Sequence, residues 1–158
     1  MPSGRSRPVY YWDTCAFIRY IAGRSKGAEI FDALKEVAQL VQTNHAVLFT
    51  SSFTRTELSE TMMRQSDFAI YDSLMQRRNV TRISYDDQVA HLGSALQAEL
   101  TKKGKKLSIP DLIHLATAVY GGATELHTTD DALKACNGEA AVKGVRILTP
   151  MVNQYRLF

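Results

Sequence analysis

Apolar positions along this chain switch repeatedly between short continuous runs and a helical spacing, and the switches set out a series of alternating strands and helices. Val9-Tyr10-Tyr11-Trp12 is a β-rich run, with Asp13-Thr14 after it as a turn or helix cap. Ala16 to Ile21 reads as a short helix closed by Gly23, and residues 27–43 carry Ile30, Leu34, Val37, Ala38, Leu40 and Val41 at helical spacing. Residues 46–50 form a buried strand. Ser51-Ser52 then offers caps to a helix bearing Glu57, Leu58 and Met62.

The second half repeats the alternation. A helix over about 67–76 leads to a strand at 80–83, and Ser84 to Asp87 caps a long helix reaching about Lys102. Lys103-Gly104-Lys105-Lys106 is the clearest loop. Ser108-Ile109-Pro110-Asp111 opens the next helix, with Pro110 in the first turn, where proline is tolerated. Leu112, Leu115, Ala116 and Val119 form its apolar face, and Gly121-Gly122 ends it. Residues 126–128 are a fourth strand, 131–135 a short helix and 145–148 a fifth strand. Strands that are almost wholly apolar and alternate with helices predict an α/β fold, a three-layer α/β/α sandwich around a mainly parallel sheet of about five strands.

Composition narrows the class. The chain has 158 residues, 45% hydrophobic and 22% charged, which suits one soluble domain able to bury a core without disulfides. Residues 1–8 (MPSGRSRP) read as a flexible basic N-terminus, and 9–158 as a single domain. No apolar run approaches the roughly 18 residues of a membrane span, and no signal-peptide apolar region follows the basic start, so the expected location is cytoplasmic and no membrane partner is expected. Cys15 and Cys136 lack any ligand or redox spacing and read as inert thiols, and the four scattered histidines give no zinc site. The net charge of +3 is mild, but Lys102, Lys103, Lys105 and Lys106 cluster, as do Arg77, Arg78 and Arg82. A basic exterior around an acidic cleft suits a polyanion substrate, although a lysine-rich loop is more often simply solvated.

The acids carry the chemistry. In open α/β sheets, ligands gather at the carboxyl ends of the strands. Asp13 follows the first strand, Glu57 lies early in the helix after the second, Asp111 sits in a first helical turn, and Asp130 stands two residues past the fourth strand. Singly, each also suits a helix cap or a solvated surface. Together, four carboxylates repel one another unless a cation joins them. Hard Mg²⁺ or Mn²⁺ takes oxygen ligands and keeps waters, and such ions promote phosphodiester hydrolysis by activating a water and stabilising the leaving oxygen.

Four segments in order resemble the PIN-domain ribonucleases, and especially the VapC-type toxins of type II toxin–antitoxin pairs: Tyr11-Trp12-Asp13-Thr14, Thr56-Glu57-Leu58, Pro110-Asp111-Leu112 running into Ala116-Thr117-Ala118, and Thr128-Thr129-Asp130. The resemblance implies a PIN-like fold and an endoribonuclease with Asp13, Glu57, Asp111 and Asp130 as catalytic metal ligands for Mg²⁺ or Mn²⁺. It implies that Thr128 orients Asp130 or a bound water, while Thr14 either supports Asp13 or caps its helix. Asp131 starts a helix, Glu60 is solvated, and His114 is a helix-surface or packing residue. Lys102, Lys103, Lys105 and Lys106 become a candidate RNA-binding edge. RNA as substrate, an antitoxin occupying the cleft and a homodimer are implied in the same way. A PIN-fold RNA-processing nuclease that is not a toxin, and an inactive PIN-fold scaffold, are the alternatives. A haloacid-dehalogenase phosphatase is disfavoured, since Asp13-Thr14-Cys15 lacks a second Asp.

Overall fold

The computed structural model describes residues 6–61 and 64–156. Met62, assigned above to the helix bearing Glu57, lies outside the described residues, as do residues 1–5 of the basic arm. Five strands form one sheet: β1 (Val9–Trp12), β2 (Val47–Ser51), β3 (Val80–Ile83), β4 (Glu125–His127) and β5 (Arg146–Leu148). Their spatial order is β3-β2-β1-β4-β5, and each neighbouring pair is parallel. The order reverses beside β1, so the crevice expected at a switch point lies between the carboxyl ends of β1 and β4.

Each strand is short because it crosses the sheet once and must then return through a helix. Alternation along β1 shows how the faces divide. Tyr11 packs with Phe49, Leu126 and Ile147 on one face, beneath α5 (Asp87–Lys102), α6 (Ile109–Tyr120) and α7 (Asp131–Lys134). Tyr10 and Trp12 point the other way, into a core with α1 (Thr14–Ala22), α2 (Ala28–Gln42), α3 (Phe53–Glu60) and α4 (Gln65–Met75). Both faces are therefore covered, which is why the strands carry apolar residues at consecutive positions. The Tyr10-Tyr11-Trp12 run is core, as its composition indicates.

Helix boundaries follow local signals. Asp13, Asp86, Ser108 and Asp130 each accept a main-chain N–H as the N-cap of α1, α5, α6 and α7. Gly121 ends α6 against the sheet: a Cβ there would lie 2.4 Å from the Phe49 ring. Two short 3₁₀ segments, Gly23–Lys26 and Ala140–Val142, carry no periodic signal in the sequence. Arg7 and Pro8 are held against the second strand, with the Pro8 carbonyl accepting from Val47 and Arg7 bonding Asn44. Among the described residues no helix is long and apolar enough to cross a membrane.

Candidate active site

The four acids reach one edge of the sheet for a single topological reason. In a parallel sheet every helix that follows a strand starts at the carboxyl edge, and every helix that precedes one and runs antiparallel to it also starts there. Asp13 caps α1 after β1, Asp130 caps α7 after β4, and Glu57 lies in α3 after β2. Asp111 is in the first turn of α6, the helix that descends to β4. Two of the four acids, Asp13 and Asp130, thus serve as helix caps as well. Helix N-termini also carry partial positive charge that favours carboxylates in these positions.

Asp13 is the most enclosed, 2% exposed. Its Oδ1 accepts from Ala16 N at 2.9 Å, and its Oδ2 accepts from the Thr128 hydroxyl at 2.5 Å. Burial pushes its carboxyl up to about 6, with the neighbouring Asp111 charge adding to the rise, while His114 and the two hydrogen bonds oppose it. Asp111 is also raised, by burial first and by the charges of Asp130 and Glu57. These mutual influences put the four acids in one electrostatic neighbourhood.

Thr128 does something other than orient the Asp130 carboxyl. Its hydroxyl donates to Asp13 and accepts from Asp130 N at 3.0 Å, so it ties the two loops together. Thr14 likewise serves Glu57 and not Asp13: its hydroxyl donates to Glu57 Oε1 at 2.6 Å. Asp130 Oδ1 accepts from Leu133 N as a helix cap. Asp131 begins α7, is exposed and pairs with Lys134. Glu60 is exposed.

One residue central to this arrangement was expected only as a helix-surface or packing side chain. His114 is 2% exposed, so it is no surface residue, and its Nε2 lies 2.5 Å from Glu57 Oε1. Its signal was present: a polar side chain one turn after Asp111, in a helix whose positions from Leu112 to Val119 are all buried. Burial alone would raise the Glu57 carboxyl, but hydrogen bonds from His114 and Thr14 hold it below its ordinary value.

The lysine cluster divides. Lys102 pairs with Glu99, and Lys105 is drawn into the fold by Glu139 and the Ala135 carbonyl. Lys103 and Lys106 are exposed and make no ion pair among the described residues. Cys136 is buried and Cys15 half-buried; burial raises both thiols, as inert cysteines require.

All four acids offer carboxylate oxygens, and two of them, Asp13 and Asp111, are pushed up by burial first and by neighbouring carboxylates next, a donor set that fits a hard divalent cation. Among the described residues no three His, Cys, Asp or Glu side chains close on one point as a cage. Oxygen-only donors suit a hard cation that keeps waters of its own, and do not suit a closed zinc site of Cys and His.

A parallel α/β/α sandwich with carboxylates at the edge where its strand order reverses defines the class: an α/β protein with an acidic switch-point edge. The PIN domain family model matches residues 10–138, and the chain belongs to the PIN-domain family, whose members are nucleases that generally use divalent metal ions. The fold is similar to a chain of VapBC2 from Rickettsia felis, solved bound to a DNA fragment from their promoter. That likeness has a TM-score of 0.67 at 18% identity, over 90% of this chain and 98% of that one. A chain of DNA-bound VapBC from Salmonella typhimurium matches with TM-score 0.61 at 20% identity, over 90% and 98%. A chain of a toxin-antitoxin complex from Klebsiella pneumoniae matches with TM-score 0.55 at 22% identity, over 89% and 97%. Comparison with curated proteins finds no match.

Proposed function

We propose that the protein is a metal-dependent endoribonuclease that serves as the toxin of a toxin–antitoxin pair, with residues 9–158 acting as one catalytic domain in the cytoplasm. The observation that carries the nuclease reading is the meeting of Asp13, Glu57, Asp111 and Asp130, from four separate chain segments, at the switch-point edge. The fold's likeness to chains of VapBC and other toxin–antitoxin complexes supports the toxin role, with an antitoxin and a second copy of the chain as partners.

Asp13, Glu57, Asp111 and Asp130 are the residues that would hold the ion. A bound Mg²⁺ or Mn²⁺ supplies a Lewis acid for a phosphate oxygen and acidifies a water to make a nucleophile at neutral pH. The chain's own contribution is preorganisation. Asp13 is fixed at both carboxylate oxygens by Ala16 N and Thr128, so it cannot turn away when the site charges. Thr128 sets the spacing of Asp13 and Asp130, and His114 and Thr14 keep Glu57 ionised among its neighbours. Water adds to phosphorus as the bond to the 3′-oxygen breaks, leaving a 5′-phosphate and a 3′-hydroxyl. The 2′-hydroxyl is not consumed, and unpaired RNA is the expected substrate because its bases are exposed for recognition.

The test is cleavage of end-labelled single-stranded RNA and DNA panels with Mg²⁺, Mn²⁺ or EDTA, comparing wild type with Asp111→Asn. Metal-dependent cutting of RNA to 5′-phosphate ends, lost in the variant, is the expected result. Equal cutting by both proteins would reject this cleft as the active site.

A further inference from the structure

Both ring nitrogens of His114 are engaged. Nδ1 lies 2.6 Å from the Tyr11 hydroxyl, and Nε2 lies 2.5 Å from Glu57 Oε1 and 3.1 Å from Thr14 Oγ1. Tyr11 is wholly buried, and its phenol supplies a single O–H donor. Directed at Nδ1, that donor leaves the imidazole proton on Nε2, facing Glu57. Thr14 donates to the same Oε1 at 2.6 Å. One oxygen of Glu57 therefore takes two donors, while Oε2 takes no hydrogen bond among the described residues. An apolar side chain at 114 would fill the same space in the core of α6. It would supply none of these three polar interactions.

We propose that His114 is a positioning residue for Glu57: oriented by Tyr11 and helped by Thr14, it immobilises Oε1 and reserves Oε2 for the divalent cation. The inference rests on the metal-site reading above. The geometry is that of an outer partner holding a ligand's far oxygen, an arrangement whose loss weakens metal affinity about 10- to 100-fold in metal sites generally. Tyr11 belongs to β1 and His114 to α6, so the chain of hydrogen bonds also ties α3 to the strand that precedes Asp13.

Mn²⁺ binding to the intact protein, followed by the electron paramagnetic resonance of free Mn²⁺, tests this without RNA or turnover. We expect His114→Ala to weaken binding about tenfold. His114→Gln, whose amide N–H can reach the same oxygen, recovers most of that loss. Tyr11→Phe gives a smaller weakening by removing a single oxygen, and it decides the matter if His114→Ala does not fold. In a Glu57→Ala background, His114→Ala adds nothing further, because the two residues act as one unit. Unchanged Mn²⁺ affinity in His114→Ala and Tyr11→Phe, with Asp13→Asn still abolishing it, overturns the positioning role and leaves the metal site standing. An equal loss with and without Glu57 overturns it too, since the histidine would then act by packing alone. A wild type that binds no Mn²⁺ overturns both readings.

Discussion

The Asp13 carboxylate accepts the Thr128 hydroxyl at 2.5 Å, although 115 positions separate the two residues in the chain. Register explains the meeting. Trp12 pairs with His127 across parallel β1 and β4, so the residues that follow them are the first pair beyond the sheet. Asp13 N also reaches the His127 carbonyl. The carboxylate is thereby fixed in a buried place where its charge has little solvent, and several consequences can be measured.

Asp13 should cost stability in the metal-free protein at neutral pH. Its folded carboxyl lies near 6, above the ordinary value of 3.8, so the folded state holds a proton that the unfolded chain releases between those values. Its contribution is complete below 3.8 and is lost as pH rises through 6. At about 1.4 kcal/mol per pH unit of displacement, the ionised group costs about 3 kcal/mol at pH 7.5. Asp13→Asn, which keeps an oxygen acceptor, should raise the urea midpoint in EDTA at pH 7.5, by the equivalent of about 1–3 kcal/mol, and abolish cleavage. A lower midpoint would refute the account of Asp13 as an uncompensated charge.

The opposite face of the sheet should be acid-labile. Glu125 accepts from His127 Nε2 and the Tyr155 hydroxyl, each at 2.8 Å, and from Arg146, while Trp12 Nε1 donates to His127 Nδ1 at 3.0 Å. Burial lowers His127 below its usual 6.5, and Glu125 is held below 4.5 by His127 and Tyr155 against the effect of its own burial. Both depressions give stability that is full above the unfolded values and lost as pH falls, first below 6.5 and then below 4.5. Asp13 acts in the reverse sense over part of this range, so the slope is cleanest in Asp13→Asn. Glu125→Ala, which strands two buried donors, His127 and Tyr155, and releases the exposed Arg146, should cost about 3 kcal/mol in urea unfolding at pH 7.5; a cost under about 1 kcal/mol would contradict the network.

The lysines should separate by function. Lys105 has its ammonium on Glu139 and the Ala135 carbonyl, so Lys105→Ala should lower thermal stability. Lys103 and Lys106, both exposed, are the residues left to meet phosphate. Their double alanine variant should weaken single-stranded RNA binding and reduce the slope of log affinity against log salt by about 0.7 for each phosphate no longer neutralised. An unchanged slope would remove this edge from the RNA path.

Gly121→Ala should destabilise the fold although the glycine's own dihedrals are ordinary for any residue, φ −77° and ψ −3°. The added methyl would meet Phe49 ring atoms at 2.4 Å and Ile83 Cδ1 at 2.9 Å. Overpacking of this kind costs about 1–3 kcal/mol, read as a lower midpoint in thermal or urea unfolding. Gly122→Ala separates the two effects: nothing stands within 4 Å, so its cost comes only from the positive φ of 68°.

Local pattern alone determined much of this protein. Among the described residues, local sequence signals marked the five strands and seven helices, because burial on a sheet face or helix stripe is written residue by residue. The four acids were legible for the same reason, since each follows a strand or opens a helix, and parallel topology sends those positions to one edge. What the residues do to one another was decided only by strand order and register. Thr128 holds Asp13 because β4 lies beside β1 with Trp12 opposite His127. Thr14 turned out to serve Glu57, 43 positions away, and His114 became a buried partner of Tyr11 and Glu57 because α6 packs over β1. A hydrogen bond depends on ångström distances between segments, and a single sequence records the periodicity of each segment but not the separation between two of them.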